Sequence, residues 1–144
     1  LMQDVTPILG VIYDFNHDDL YFGHQNTKAF LNQNEITVSD YSKKNQSILV
    51  TGIPAKTHYS DEEFKNMIND FQDWKKVRMI GSAAMAAIYV ASGKSETYKE
   101  NGIFLWDIAA GAAIVEAAGG VASIKNIQAD YRVDAIFTNQ HLAN

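Results

Sequence analysis

Residues 106–120 read Trp-Asp-Ile-Ala-Ala-Gly-Ala-Ala-Ile-Val-Glu-Ala-Ala-Gly-Gly, and this stretch decides the fold. It predicts a helix over residues 108–118 that ends at Gly119-Gly120, because glycine is typical of helix C-termini. The small side chains at residues 109–113 would let this helix approach another backbone closely. Asp107 has two interpretations at this stage: it is the N-cap of the helix, or it is a rigidly held ligand for a hard cation.

The rest of the chain alternates between strand and helix patterns, which predicts an α/β fold. Residues 8–23 alternate apolar and polar side chains around a polar turn, as expected of a β-hairpin. Ser60-Asp61-Glu62-Glu63 has the form of a capping box before a surface helix. Residues 83–91 are apolar on every side, so we expect a buried helix there. The other predicted strands cover residues 36–38, 47–51, 77–80, 97–100, 121–124 and 134–138.

Composition excludes several classes of function. The formal net charge is −5, from 12 basic and 17 acidic residues, and no run of Lys or Arg is dense enough for nucleic acid or an anionic membrane. The chain has no cysteine, which excludes thiolate metal sites and fits a reducing cytoplasm. The longest apolar stretch, residues 83–91, is too short to span a bilayer. We therefore expect a cytoplasmic protein with no nucleic-acid or membrane partner.

Residues 106–120 resemble the C-terminal signature of the inositol monophosphatase family. The resemblance continues upstream, in family order and spacing, through residues 7–14, 29–32, 78–84, 90–93 and 98–100. It implies the C-terminal half of a layered αβαβα sandwich, with a mixed sheet flanked by helices, in a protein that is usually a homodimer. It also implies Mg²⁺-dependent hydrolysis of a phosphomonoester. We expect residues 1–45 to be a remnant of an N-terminal antiparallel-sheet subdomain and residues 46–144 to form a C-terminal α/β subdomain.

The resemblance carries five residues over to the site. It implies that Asp107 is a metal ligand and also contacts substrate. Gly81, Ser82 and Ala83 match the segment that lines the substrate's ring and hydroxyls, and Glu100 matches the residue that takes a ring hydroxyl. The alternatives from the residues alone are a strand exit and N-cap for Gly81-Ser82 and a solvated charge for Glu100.

Some neighbouring residues carry structural expectations. The motif places Gly81 and Gly111 where backbones approach closely, and Trp106 is predicted to be a large anchor. Arg78 pairs either with a substrate or structural carboxylate or with a surface charge. His17-Asp18-Asp19 resembles a metal cluster, but adjacent residues of a turn point in different directions, which favours a simple turn.

The family's Asp-Pro-(Ile/Leu)-Asp-Gly-Thr element, which binds metal, does not occur in the sequence. One aspartate cannot hold two metal ions, so we expect a fragment that is inactive alone and leaves one face of its first sheet uncovered. Three functions stay open: an inositol-phosphate phosphatase, a 3′(2′),5′-bisphosphate nucleotidase, and a catalytically silent module or half of a split protein. The nucleotidases more often have Tyr-Pro-Arg before the Trp-Asp pair, so residues 98–100, Tyr-Lys-Glu, favour the first.

Overall fold

The computed structural model describes residues 1–55 and 57–143. The helices are α1 (Asp61–Gln72), α2 (Ala83–Ala91) and α3 (Leu105–Ala117). The strands are β1 (Met2–Gln3), β2 (Thr6–Pro7), β3 (Leu9–Asp14), β4 (Asp19–His24), β5 (Ala29–Leu31), β6 (Asn34–Ile36), β7 (Ile48–Thr51), β8 (Lys76–Met79), β9 (Thr97–Phe104), β10 (Val121–Lys125) and β11 (Arg132–Thr138). In this part of the chain no helix has the length and apolar character needed to cross a membrane.

Two sheets organise the molecule, besides the short β1-β2 pair. One has four antiparallel strands in the order β3-β4-β5-β6. The other is mixed, in the order β10-β11-β9-β7-β8, with β7 parallel to both of its neighbours and the remaining pairs antiparallel. Helices α2 and α3 pack on each other, and α3 contacts strands of both sheets. The predicted α/β class, with a mixed sheet flanked by helices, is confirmed.

Glycines let α3 lie very close to its neighbours. A Cβ atom on Gly111 would overlap the Cβ of Ala87 in α2, and one on Gly10 of β3 would overlap the carbonyl oxygen of Ala110. A Cβ on Gly23 of β4 would lie 2.8 Å from the Cβ of Ala117. The close approach predicted for Gly111 is therefore confirmed.

The outer face of the four-stranded sheet is apolar. Alternation along β3 turns Gly10, Ile12 and Asp14 toward α3 and leaves Val11 and Tyr13 more than half exposed, at 52% and 54%. On the same outer face Phe22 stacks on Phe30, with ring centroids 5.3 Å apart. Apolar side chains on this face are therefore exposed to solvent.

The strand predicted at residues 36–38 lies at Asn34–Ile36, and the largest boundary errors are those of β9 and α3. The strand predicted to end at Glu100 continues to Phe104, and the helix predicted to begin at Ile108 begins at Leu105. The chain passes from β9 into α3 with no turn between them, so no turn residue marks the change. The N-cap position belongs to Phe104, whose side chain makes no capping bond. Asp107 is the third residue of the helix, and its interpretation as the N-cap is wrong.

Trp106 and Gly81 also differ from expectation. Trp106 is 62% exposed and stacks on Phe104, with ring centroids 4.5 Å apart, so it is not a buried anchor. A Cβ atom on Gly81 would meet no atom within 4 Å. Its φ of +79° explains the glycine instead, since side chains disfavour the left-handed region. The close approach predicted at Gly81 is wrong.

Candidate functional site

A cavity of about 510 Å³ opens where β7 and β8 end and where α2 and α3 begin. Parallel strands bring their carboxyl ends to one edge of a sheet, and in open α/β sheets this edge commonly holds ligands. The cavity is lined by all five residues proposed from the sequence, namely Gly81, Ser82, Ala83, Glu100 and Asp107. The structure therefore brings together residues that lie up to 26 positions apart in the chain, from 81 to 107.

The start of α2 supplies one wall. Ser82 is the N-cap of this helix, and its Oγ accepts a hydrogen bond from the backbone N–H of Met85 at 3.3 Å. The N-cap interpretation of Ser82 is thus confirmed, and the same residue lines the cavity. The first N–H groups of a helix have no acceptor inside it, so Ala83 and Ala84 can offer backbone donors to a ligand.

Glu100 supplies a buried carboxylate. Its side chain is only 8% exposed, and its Oε2 accepts a hydrogen bond from the Tyr98 hydroxyl at 3.0 Å. A Cβ atom on Gly52 would lie 2.5 Å from that oxygen, so a side chain at position 52 would force the Glu100 carboxylate to move. The alternative interpretation of Glu100 as a solvated charge is wrong.

Burial and a neighbouring charge both act on Glu100. Burial raises the pKa of the Glu100 carboxyl, and the negative charge of Asp107 raises it further, although the hydrogen bond from Tyr98 opposes them. Burial and then Glu100 raise the pKa of the Tyr98 hydroxyl. Both carboxylates, Glu100 and Asp107, line the same cavity.

Asp107 lies in the exposed first turn of α3 and faces the cavity. The Asp107 carboxylate is a hard oxygen donor of the kind that Mg²⁺ prefers, whereas Glu100 is buried and hydrogen-bonded to Tyr98. Mg²⁺ commonly uses one or two protein carboxylates together with waters and substrate phosphate, so this donor set fits the ion. Within residues 1–55 and 57–143, no group of three or more His, Asp or Glu side chains could hold a metal by itself.

His17 and Asp18 lie in the predicted turn, and Asp19 is the first residue of β4. The side chains point to separate partners: His17 Nδ1 lies 2.7 Å from Asp14 Oδ2, and Asp18 accepts a hydrogen bond from the Tyr13 hydroxyl at 2.6 Å. Arg78 donates to the carbonyl oxygen of Val77 at 3.0 Å, and it makes no ion pair with any residue that the structure describes.

Sequence reasoning missed a second, acidic cavity of about 470 Å³. It shares Thr51, Gly52 and Glu100 with the first cavity and extends along α1. Burial raises the pKa of the Tyr59 hydroxyl, and so do the charges of the nearby carboxylates Glu100, Asp134 and Glu63. These carboxylates come from three separate parts of the chain, so no local sequence motif predicts that they lie close together.

Comparison with known proteins assigns the family. A model of the inositol monophosphatase family matches residues 1–137. Inositol-1-monophosphatase of Synechocystis sp. is 35% identical over 130 residues, which are 85% of this chain and 43% of the relative. The solved inositol monophosphatase from Anabaena (Nostoc) sp. has a TM-score of 0.83 at 33% identity, over 93% of this chain and 54% of its own.

A third relative, SaIMPase-II, has been solved with bound inositol monophosphate and with bound 2′AMP. Its TM-scores are 0.80 and 0.82 at 25% identity, over 98% of this chain and 55% of the relative. The chain thus spans about half the length of these relatives. The family model covers nearly all of residues 1–144, and the chain belongs to the inositol monophosphatase family.

Proposed function

We propose that this chain forms the part of a Mg²⁺-dependent phosphomonoesterase site that holds the second metal ion and the substrate's hydroxyl groups. One observation carries the proposal: Gly81, Ser82, Ala83, Glu100 and Asp107 line a single cavity at the starts of two helices. Helix N-termini favour negatively charged groups such as phosphate. Membership of a family of phosphatases supports the same chemistry.

Each residue has a distinct role in the proposal. Asp107 would hold Mg²⁺, which supplies, when bound, a positive charge that stabilises the leaving oxygen of the phosphoester. Glu100 accepts a hydrogen bond from a substrate hydroxyl, since Tyr98 occupies only one of its two oxygens. Ser82 fixes the start of α2, so that Ala83 presents its backbone N–H and methyl group to the substrate at a fixed position.

An inositol-phosphate-type substrate is the first candidate. The inositol monophosphate bound to SaIMPase-II supports it. A nucleotide is the second candidate, because the same relative also binds 2′AMP. The adjoining acidic cavity argues against a bisphosphate, since a second phosphate there would meet the carboxylates of Glu63 and Asp134.

We also propose that the remaining metal ligands lie outside these 144 residues. The sequence has no Asp-Pro-x-Asp-Gly-Thr element, and the chain spans 43% of the length of the Synechocystis relative. On this proposal the isolated chain is a catalytically silent module, and the complete protein is a homodimeric enzyme. The lack of cysteine supports a cytoplasmic location.

The test uses a fusion that joins this chain to the part of the Synechocystis relative outside the matched segment. Phosphate release from inositol 1-phosphate is measured with and without Mg²⁺. We expect Mg²⁺-dependent turnover in the fusion, none above the blank for the chain alone, and a loss of about 100-fold or more in Asp107→Asn. Asp40→Asn removes the same charge at an exposed position outside both cavities described above and is the matched control.

Turnover by the chain alone that is abolished in Asp107→Asn would contradict the assignment of the other ligands. Near-normal turnover of the fusion carrying Asp107→Asn, measured at limiting Mg²⁺, would contradict the role of Asp107.

A further inference from the structure

A third cavity, of about 260 Å³, lies on the opposite side of the mixed sheet from α2 and α3. Alternation along β11 turns Val133, Ala135 and Phe137 into the core, whereas Ile136 and Thr138 face this cavity. Asp70, near the C-terminal end of α1, also lines it. None of the five residues of the candidate site lines it.

Lysines dominate the charge of this cavity. Lys44, Lys99 and Lys125 line it together with a single carboxylate, Asp70. Lys99 Nζ lies 3.0 Å from Asp70 Oδ2, and Lys44 Nζ lies 3.5 Å from Asp70 Oδ1. Burial works to raise the pKa of the Asp70 carboxyl, but the two ammonium groups outweigh it and lower that pKa. Asp134 lies directly opposite Lys125 in the register of β10 and β11, so three positive charges meet two negative ones and the cavity keeps a net positive charge.

A buried donor without an acceptor lies in the same wall. Trp74 lines the cavity and is 9% exposed, and its indole Nε1 has no hydrogen-bond acceptor among the described residues. Lys44 Nζ lies over the indole, 5.3 Å from the ring centroid. A buried N–H without a partner is costly, and such groups are usually satisfied by water or an ion.

The cavity also offers a hydroxyl donor. Ser123 lines it from β10, and within residues 1–55 and 57–143 the Ser123 hydroxyl makes no hydrogen bond. Lys125, two residues further along the same strand, has no carboxylate within ion-pair distance in that part of the chain. Hydroxyl and ammonium groups are hydrogen-bond donors, and the ammonium groups also carry positive charge.

We infer that this cavity is a binding site for a small oxyanion of the size and charge of inorganic phosphate. Lysine binds phosphate as a point charge, and three lysines around one cavity supply more positive charge than Asp70 neutralises. The inference does not depend on the proposed catalytic function, because the two sites share no residue.

Fluorescence of Trp74 provides a direct test, because the chain has only two tryptophans. In a Trp106→Phe background, Trp74 is the sole tryptophan, and Phe preserves the exposed stacking on Phe104. The protein is titrated with inorganic phosphate in EDTA, at an ionic strength kept constant with NaCl. EDTA removes divalent cations, so that no phosphate binds through a metal ion at Asp107. We expect a saturable change in Trp74 emission.

Variants assign the signal to the lysines. We expect Lys125→Ala to weaken phosphate binding about 10-fold or more, because it removes one charge-assisted hydrogen bond. Lys28→Ala is the matched control, because Lys28 is 65% exposed and pairs with Glu35 on the other sheet. As a second measurement, phosphate should raise the thermal midpoint of the unsubstituted chain and not that of the Lys44→Ala/Lys125→Ala double variant.

A change in emission that does not saturate and that equal concentrations of chloride reproduce would overturn the inference. Equal phosphate affinity in Lys125→Ala and in its parent would overturn it as well.

Discussion

Replacement of Gly111 by valine tests the packing of α3 on α2. The first atom added to Gly111 overlaps the Cβ of Ala87 and comes within 3.8 Å of Phe137 Cε2, and valine adds two further methyl groups. Ala87 and Phe137 are both fully buried, so neither can move into solvent. Overpacking of this kind costs about 1–3 kcal/mol, against a gain of a few tenths of a kcal/mol from the better helix propensity of valine.

Urea unfolding measures this cost. With a slope of about 1.5 kcal/mol per M, a cost of about 1–3 kcal/mol should lower the midpoint by roughly 0.7–2 M. A double-mutant cycle supplies the control, because Ala87→Gly removes the methyl group that Gly111→Ala collides with. We expect Gly111→Ala combined with Ala87→Gly to be more stable than the sum of the single effects by about 1–3 kcal/mol. An unchanged midpoint in Gly111→Val, or additive effects in the cycle, would refute the close packing of the two helices.

Three further predictions concern single side chains. Asp107→Asn should leave the metal-free thermal midpoint nearly unchanged, because Asp107 makes no capping bond; a drop of more than about 5 °C would contradict this. A carboxyl with a raised pKa binds its proton more tightly when folded, so its contribution to stability falls as pH rises above its ordinary pKa of 4.5. Glu100→Gln should therefore raise the midpoint at pH 7.5, and equal gains at pH 4 and 7.5 would exclude this cause. Ser60→Ala should lower the free energy of unfolding by about 1 kcal/mol, because Ser60 Oγ accepts from Glu63 N; an unchanged urea midpoint would speak against the capping box.

Local signals decided which elements the sequence could predict. The bounds of α2 were predicted correctly, because Ser82 caps its start and an apolar run of nine residues ends before Gly93. The start of α3 was missed because Phe104, an apolar residue with no capping bond, occupies the N-cap position. The tight approach at Gly111 was predictable from the small residues around it, whereas the left-handed φ of Gly81 left no comparable pattern.

The two sites also differ in how far the sequence predicts them. Residues 81–107 carry the five candidate residues within one short segment of the chain, so a family resemblance is enough to identify them. The lysine-lined cavity draws Lys44, Lys99 and Lys125 from three distant segments. They come together only through the pairing of β9, β10 and β11 and the position of α1. The periodicity of a sequence does not predict contacts between such distant segments.

Strand β9 contributes side chains to both cavities, so only some of its residues can contact a substrate in the candidate site. Successive side chains of a strand point to opposite faces, so Tyr98 and Glu100 face the core and the candidate site, while Lys99 faces Asp70 of α1. A slip of one residue against β11, where Glu100 pairs with Ala135, would exchange the two faces. Of the Tyr-Lys-Glu segment that separates the inositol-phosphate and nucleotidase alternatives, Lys99 thus lies on the side of the sheet away from the candidate site. The discrimination therefore depends mainly on Glu100, whereas Lys99 lines both the acidic cavity and the lysine-lined cavity.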